Sequence, residues 1–196
     1  MKIKKLQLYS IMEGLKRCDF LTQEECDTIV REILSLEDAV KRLGPDEYVG
    51  TSEDSLTGRY AVFNYLNIRS INTIICPKLK KMFGPCVVQC WANIFRQGEG
   101  IDEHKHIDDK NDNIVLKASG NIFLYGDPTT GTYYEGVKHD NKVGELSFFP
   151  SDMLHGVPKN TTGDMRISMA IDVHTGDKVL LNALVSEIPK RFFYIR

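Results

Sequence analysis

Residues 144–173 read GELSFFPSDMLHGVPKNTTGDMRISMAIDV. Three short strand-forming runs lie in this stretch, Gly144 to Phe149, Met153 to Val157 and Arg166 to Val173, set off by Gly, Pro, Asn and Asp. Runs of that length between turn residues predict β-strands. Two further runs upstream, Val87 to Phe95 and Ile114 to Tyr125, have the same character. Several short strands separated by turns indicate a sandwich or barrel rather than alternating β-α units.

Upstream of Pro85 the sequence changes. Thr22 and Glu25 form an S/T-x-x-E capping box, and Cys26, Ile29, Val30, Ile33 and Leu34 recur at helical spacing. A helix is therefore predicted within Asp19 to Gly44, closed by Gly44-Pro45. A second helix is expected from Ser70 to Phe83, ended by Gly84-Pro85. Between them, Asp46 to Arg69 reads as loops with a short strand around Tyr60 to Tyr65. The tail from Asp177 to Arg196 is expected to add a helix or a covering strand. The whole is a mainly β, α+β plan: a single domain over 1–196, with helical support and loops in 1–85, the β-core in 86–175 and a tail in 176–196.

Composition narrows the function classes. A chain of 196 residues with 42% hydrophobic content suits one packed domain. The 25 basic and 27 acidic residues are interspersed and sum to a net charge of −2, which gives no support to nucleic-acid binding and does not exclude it. Five cysteines without a CxxC pair indicate neither a disulfide framework nor a zinc knuckle, as expected in a reducing, cytoplasmic setting. The opening MKIKKLQLYSIM has too short an apolar run for a signal peptide, and no stretch approaches membrane-spanning length.

The residues with chemical potential lie in the β-rich half. His104 and His106 are two apart, and His155 follows in FPSDMLHGVP. Residues two apart on a strand face the same way, so His104, His106 and Asp108 are candidates to look into one cavity. Imidazole and carboxylate ligands on one side of a metal leave its other side open, as a non-haem iron site requires. Arg166 comes eleven residues after His155, with Ser168 as its same-face neighbour. A guanidinium beside a hydroxyl suits a terminal carboxylate held through charge-assisted hydrogen bonds.

In this order and spacing, the stretch from Cys90 to Val173 resembles the Fe(II)/2-oxoglutarate-dependent oxygenase superfamily, whose core is a double-stranded β-helix, or jelly roll, of cupin-like form. DFLTQEECDTIVREIL is similar to the helix preceding the core in prolyl-4-hydroxylase-like members. Trp91, Asn93 and Gly98, then His104-Lys105-His106, then Ser119-Gly120, resemble a branch of oxygenases from marine bacteria and tailed phages. The resemblance spans roughly residues 19 to 43 and 87 to 174.

The resemblance implies Fe(II), 2-oxoglutarate as co-substrate and O2, with hydroxylation of a protein or peptide side chain, or of another C–H substrate, and release of succinate and CO2. Two ligand sets stay open. Gly98 precedes His104 by six positions, which fits the superfamily spacing and favours His104, His106 and His155. A literal H-x-D reading instead takes His106, Asp108 and His155. Arg166 and Ser168 are implied as the co-substrate clamp, assisted by Asn93, which a plain role in satisfying strand-edge backbone explains equally well. Tyr125, Tyr133 and Tyr134 are candidates to touch substrate. Two other readings compete: a three-histidine cupin-type dioxygenase without 2-oxoglutarate, and a non-catalytic jelly-roll binding or structural protein.

Overall fold

The computed structural model describes residues 14–44, 56–58, 60, 63–106, 114–187 and 190–196. Strand β1 (Lys16–Asp19) leads into helix α1 (Gln23–Lys41). Thr22 caps α1 as the sequence indicates: its hydroxyl accepts from the Glu25 N–H, and the Glu25 carboxylate accepts from the Thr22 N–H at 2.8 Å. Replacing Thr22 with Ala is expected to cost about 1 kcal/mol, seen as a lower urea midpoint with an unchanged slope.

A single 3-10 turn, Tyr65–Asn67, capped by Asn64, stands where part of a strand was expected. The Asn64 side chain accepts from the Leu66 N–H, a local bond that favours the turn over extended pairing. Helix α2 (Arg69–Phe83) follows and ends at Gly84, whose φ of 74° suits glycine.

The remainder is almost entirely sheet: β2 (Cys86–Phe95), β3 (Ile101–His104), β4 (Ile114–Tyr125), β5 (Thr132–Tyr134), β6 (Val137–His139), β7 (Glu145–Phe149), β8 (His155–Val157) and β9 (Arg166–Gly176). Helix α3 (Lys178–Glu187) and strand β10 (Phe193–Ile195) close the chain, so the tail supplies both a helix and a strand. The strands form a six-stranded sheet in the order β1-β7-β4-β9-β2-β10 and a four-stranded sheet in the order β3-β8-β5-β6. All the pairings are antiparallel.

The two faces of the larger sheet differ in chemistry. Val88, Cys90, Ala92 and Ile94 of β2 and Ile167, Met169, Ile171 and Val173 of β9 form one face, packed with Ile29 and Ile33 of α1 and Ile71, Ile75 and Leu79 of α2. Each such aliphatic side chain contributes about 1.5–3 kcal/mol on full burial. The alternate positions, Gln89, Trp91, Asn93 and Phe95 with Arg166, Ser168, Ala170, Asp172 and His174, are also buried. Trp91, Asn93, Phe95, Ser168 and Ala170 line a cavity with His104, Thr132 and His155 of the smaller sheet, while His174 at the far end meets Phe192, so the polar side of β9 points inward and not to solvent.

Candidate metal centre and anion pocket

His104 closes β3 and lies directly across from His155, which opens β8; His155 in turn lies across from Tyr134 on β5. Cross-strand partners share a face, so the smaller sheet delivers His104, His155 and Tyr134 in one row. His106 sits just past β3, its N–H donating to the Ser151 carbonyl at 2.8 Å. The ligating atoms of His104, His106 and His155 all lie within 4.8 Å of one another, a group that could hold a metal ion.

Each imidazole is oriented through Nδ1. His104 Nδ1 is 2.8 Å from the Asp102 carbonyl, His155 Nδ1 is 3.0 Å from the Met153 carbonyl, and His106 Nδ1 is 2.7 Å from Asp172 Oδ1. A donated Nδ1–H leaves Nε2 as the nitrogen that could ligate a metal in each ring. Apolar rings pack the group: Phe149 lies 4.5 Å from the His155 ring centroid and Trp91 lies 5.5 Å from that of His106. Asp108, the carboxylate of the literal H-x-D reading, lies outside the described residues.

Burial, followed by the neighbouring His106 and His104, pushes the His155 imidazole down to about 3. An imidazole kept neutral at physiological pH is ready to ligate a metal. The stability it contributes is fully present above its ordinary value of about 6.5 and is lost as pH falls toward about 3. The ligand-free protein is therefore expected to lose stability below pH 6.5, by up to about 1.4 kcal/mol per pH unit from this group. A denaturant series from pH 7 to 5 checks this, and His155→Gln should flatten the slope.

On β9, Arg166 is 0% exposed. Its two terminal nitrogens reach only hydroxyls, Thr132 Oγ1 at 3.0 Å and Ser168 Oγ at 3.4 Å, and Nε is buried without a hydrogen-bond partner. Phe95 and Phe123 lie against it, with ring centroids 5.2 and 5.5 Å from Cζ. Burial pulls the guanidinium down to about 10. No acidic side chain among the described residues forms an ion pair with it. A buried cation facing only hydroxyls and ring faces is a costly arrangement unless an anion joins it.

The other expected site residues divide. Ser168 lines the cavity and lies across from Asn93. The Asn93 carbonyl oxygen accepts from the Gly58 N–H at 2.7 Å, so at least half of that amide serves the backbone. Tyr134 is buried, which pushes its phenol up to about 12, with Ser147 and Arg166 among its polar neighbours. Tyr133 points the other way, lining a groove of about 620 Å³ beside residues 98–103. Tyr125 is 45% exposed: a register shift after Phe123 pairs it with Ile167 and removes it from the inward face. The two remaining histidines, His139 and His174, which the sequence does not mark as site residues, are half-buried and buried against the Phe192 ring respectively. Thr132 and Asp172 join the site without having been singled out from the sequence, and Ser119, named there only within the Ser119-Gly120 element of the resemblance, joins it through His106 and Asp172. A cavity of about 40 Å³ lies between the histidines and Ser168.

No family model matches the sequence, and no curated protein matches it. The fold, by contrast, is shared with prolyl 4-hydroxylases and other non-haem 2-oxoglutarate-dependent proteins of known structure. A viral collagen prolyl hydroxylase from Paramecium bursaria Chlorella virus-1, solved with 2-oxoglutarate, aligns with a TM-score of 0.57 at 15% identity, covering 82% of this chain and 96% of its own. A Pseudomonas putida prolyl-4-hydroxylase aligns at 0.53 and 18% identity, covering 87% of this chain and 100% of its own. The carbocyclase SnoK of nogalamycin biosynthesis, described as non-haem and α-ketoglutarate dependent, aligns at 0.62 and 11% identity over 100% of this chain and 97% of its own. At these identities the likeness is one of fold. No described helix is long and apolar enough to cross a membrane.

Proposed function

We propose that this chain is an Fe(II)- and 2-oxoglutarate-dependent dioxygenase, a single domain built on a double-stranded β-helix core. The observation that carries the reading is Arg166: a buried guanidinium with no acidic partner among the described residues, whose hydroxyl partners Thr132 and Ser168 line the same cavity as the three imidazoles. A metal ion needs the imidazoles and a carboxylate needs the guanidinium. One small dicarboxylic acid with a keto-acid end meets both needs at once.

In this reading His104, His106 and His155 hold Fe(II) through Nε2, with His106, Asp108 and His155 as the alternative set. Arg166 grips the distal carboxylate of 2-oxoglutarate, with Ser168 and Thr132 positioning the guanidinium and Tyr134 and Asn93 beside it. Trp91 and Phe149 exclude water from the metal-facing side. Iron and 2-oxoglutarate, when bound, supply the activation of O2 that hydroxylates a C–H bond and leaves succinate and CO2. The substrate class proposed is a protein or peptide side chain, in line with the prolyl hydroxylases that share the fold, with a small molecule as the other candidate.

Anaerobic addition of Fe(II) and then 2-oxoglutarate tests the assignment. The expected result is a visible metal-to-ligand charge-transfer band, followed by slow uncoupled succinate formation once O2 is admitted. No band and no succinate overturn it. The three-histidine set also fits a dioxygenase that needs no 2-oxoglutarate; iron-dependent O2 uptake unaffected by 2-oxoglutarate would favour that reading.

A further inference from the structure

Three neutral imidazoles leave a bound divalent ion with its full double charge, whereas the common two-histidine, one-carboxylate arrangement removes one unit of it. The compensating charge stands one residue further out. Asp172 is 2% exposed, and its Oδ1 lies 2.7 Å from His106 Nδ1 and 2.7 Å from Ser119 Oγ. The Ser119 hydroxyl is itself 2.9 Å from His106 Nδ1, so serine, aspartate and imidazole close a buried triangle on the side of His106 away from the metal. Asp172 faces inward because it keeps the parity of Arg166 and Ser168 on β9, and it lies across from Ser119 on β4 and Gln89 on β2.

We propose that Asp172 is the charge-balancing carboxylate of this centre: it acts on the metal through His106 and sets both how tightly Fe(II) is held and how readily it gives up an electron. The proposal rests on the metal reading above. Asp172 is a positioning residue that touches neither metal nor substrate. Two effects must be separated. The carboxylate orients the ring and fixes its tautomer, and it also lends the ring negative charge, which strengthens the nitrogen as a ligand. Asn at this position keeps an oxygen that accepts the Nδ1–H, so it retains the orientation and deletes only the charge.

The experiment compares wild type, Asp172→Asn, Ser119→Ala and the double variant His106→Asp with Asp172→Asn, each checked for fold by circular dichroism. Anaerobic Fe(II) titration gives affinity, and redox titration of the bound iron gives the Fe(III)/Fe(II) potential. Asp172→Asn is expected to weaken Fe(II) binding about 10- to 100-fold and to raise the potential. Ser119→Ala, which keeps the charge, should stay near wild type in both. The double variant moves the carboxylate into direct contact with the metal and should regain most of the lost affinity; it carries the test if the single variant does not fold. Wild-type affinity and potential in Asp172→Asn, or equal losses in Ser119→Ala, overturn the proposal, as does a double variant no better than the single one. Failure of the wild type itself to bind Fe(II) sinks the functional reading instead, so the two failures are distinguishable.

Discussion

Replacing Arg166 with Met is expected to abolish measurable 2-oxoglutarate binding, to leave Fe(II) binding in place and to raise the thermal midpoint of the ligand-free protein. These three outcomes follow from one feature. The guanidinium is enclosed with two hydroxyls and two aromatic rings, and among the described residues no carboxylate neutralises it. Deleting one partner of a buried ionic contact costs about 3–5 kcal/mol, or about 150- to 4000-fold in affinity for the dicarboxylate. Without the dicarboxylate the same guanidinium is a burden, and an apolar side chain of similar length is neutral or stabilising. Calorimetric titration of the iron-loaded protein, with and without the substitution, measures the first effect; thermal unfolding measures the last. Conversely, 2-oxoglutarate at a hundred times its dissociation constant stabilises the wild type by about 2.7 kcal/mol and the variant not at all. A variant that still binds 2-oxoglutarate would take the co-substrate away from Arg166.

His104→Ala is the second large effect. Changing a residue that hydrogen-bonds a metal ligand costs about 10- to 100-fold, so loss of a direct ligand should weaken Fe(II) by more than about 100-fold. His104 is only partly buried, so the fold should survive. Asp108→Asn, tested in parallel, should bind Fe(II) nearly as well as wild type. The reverse pattern, with His104 dispensable and Asp108 essential, would establish the H-x-D set. The same anaerobic titration decides between them.

The larger sheet was legible in the sequence because its long strands carry strong runs of buried residues. Ile114 to Tyr125 is predicted and observed with the same limits, and Arg166 to Val173 falls short only at its far end. The smaller sheet was mostly invisible. IDEH, TYY and VKH are three or four residues long and rich in charge or exposed positions, so neither hydrophobicity nor alternation marks them as strands. That sheet nonetheless contributes His104, Thr132 and Tyr134. Thr132, in a turn-rich stretch, gave no local signal at all. Asp172 did give one: it keeps the parity of Arg166 and Ser168, but a polar residue alternating with Ile and Val reads as solvent-facing until the second sheet is known to cover it. Tyr125 misled for the opposite reason, since a register shift breaks the parity that would have turned it inward.

The opposed faces of β9 divide inheritance between two sets of codons. Ile167, Met169, Ile171 and Val173 answer to the helices and so govern whether the protein persists, while Arg166, Ser168, Ala170 and Asp172 answer to whatever reacts. Exchanges confined to Arg166, Ser168, Ala170 and Asp172 leave the helix-facing contacts of the strand untouched, so variation there is separable from variation in the core that the helices cover.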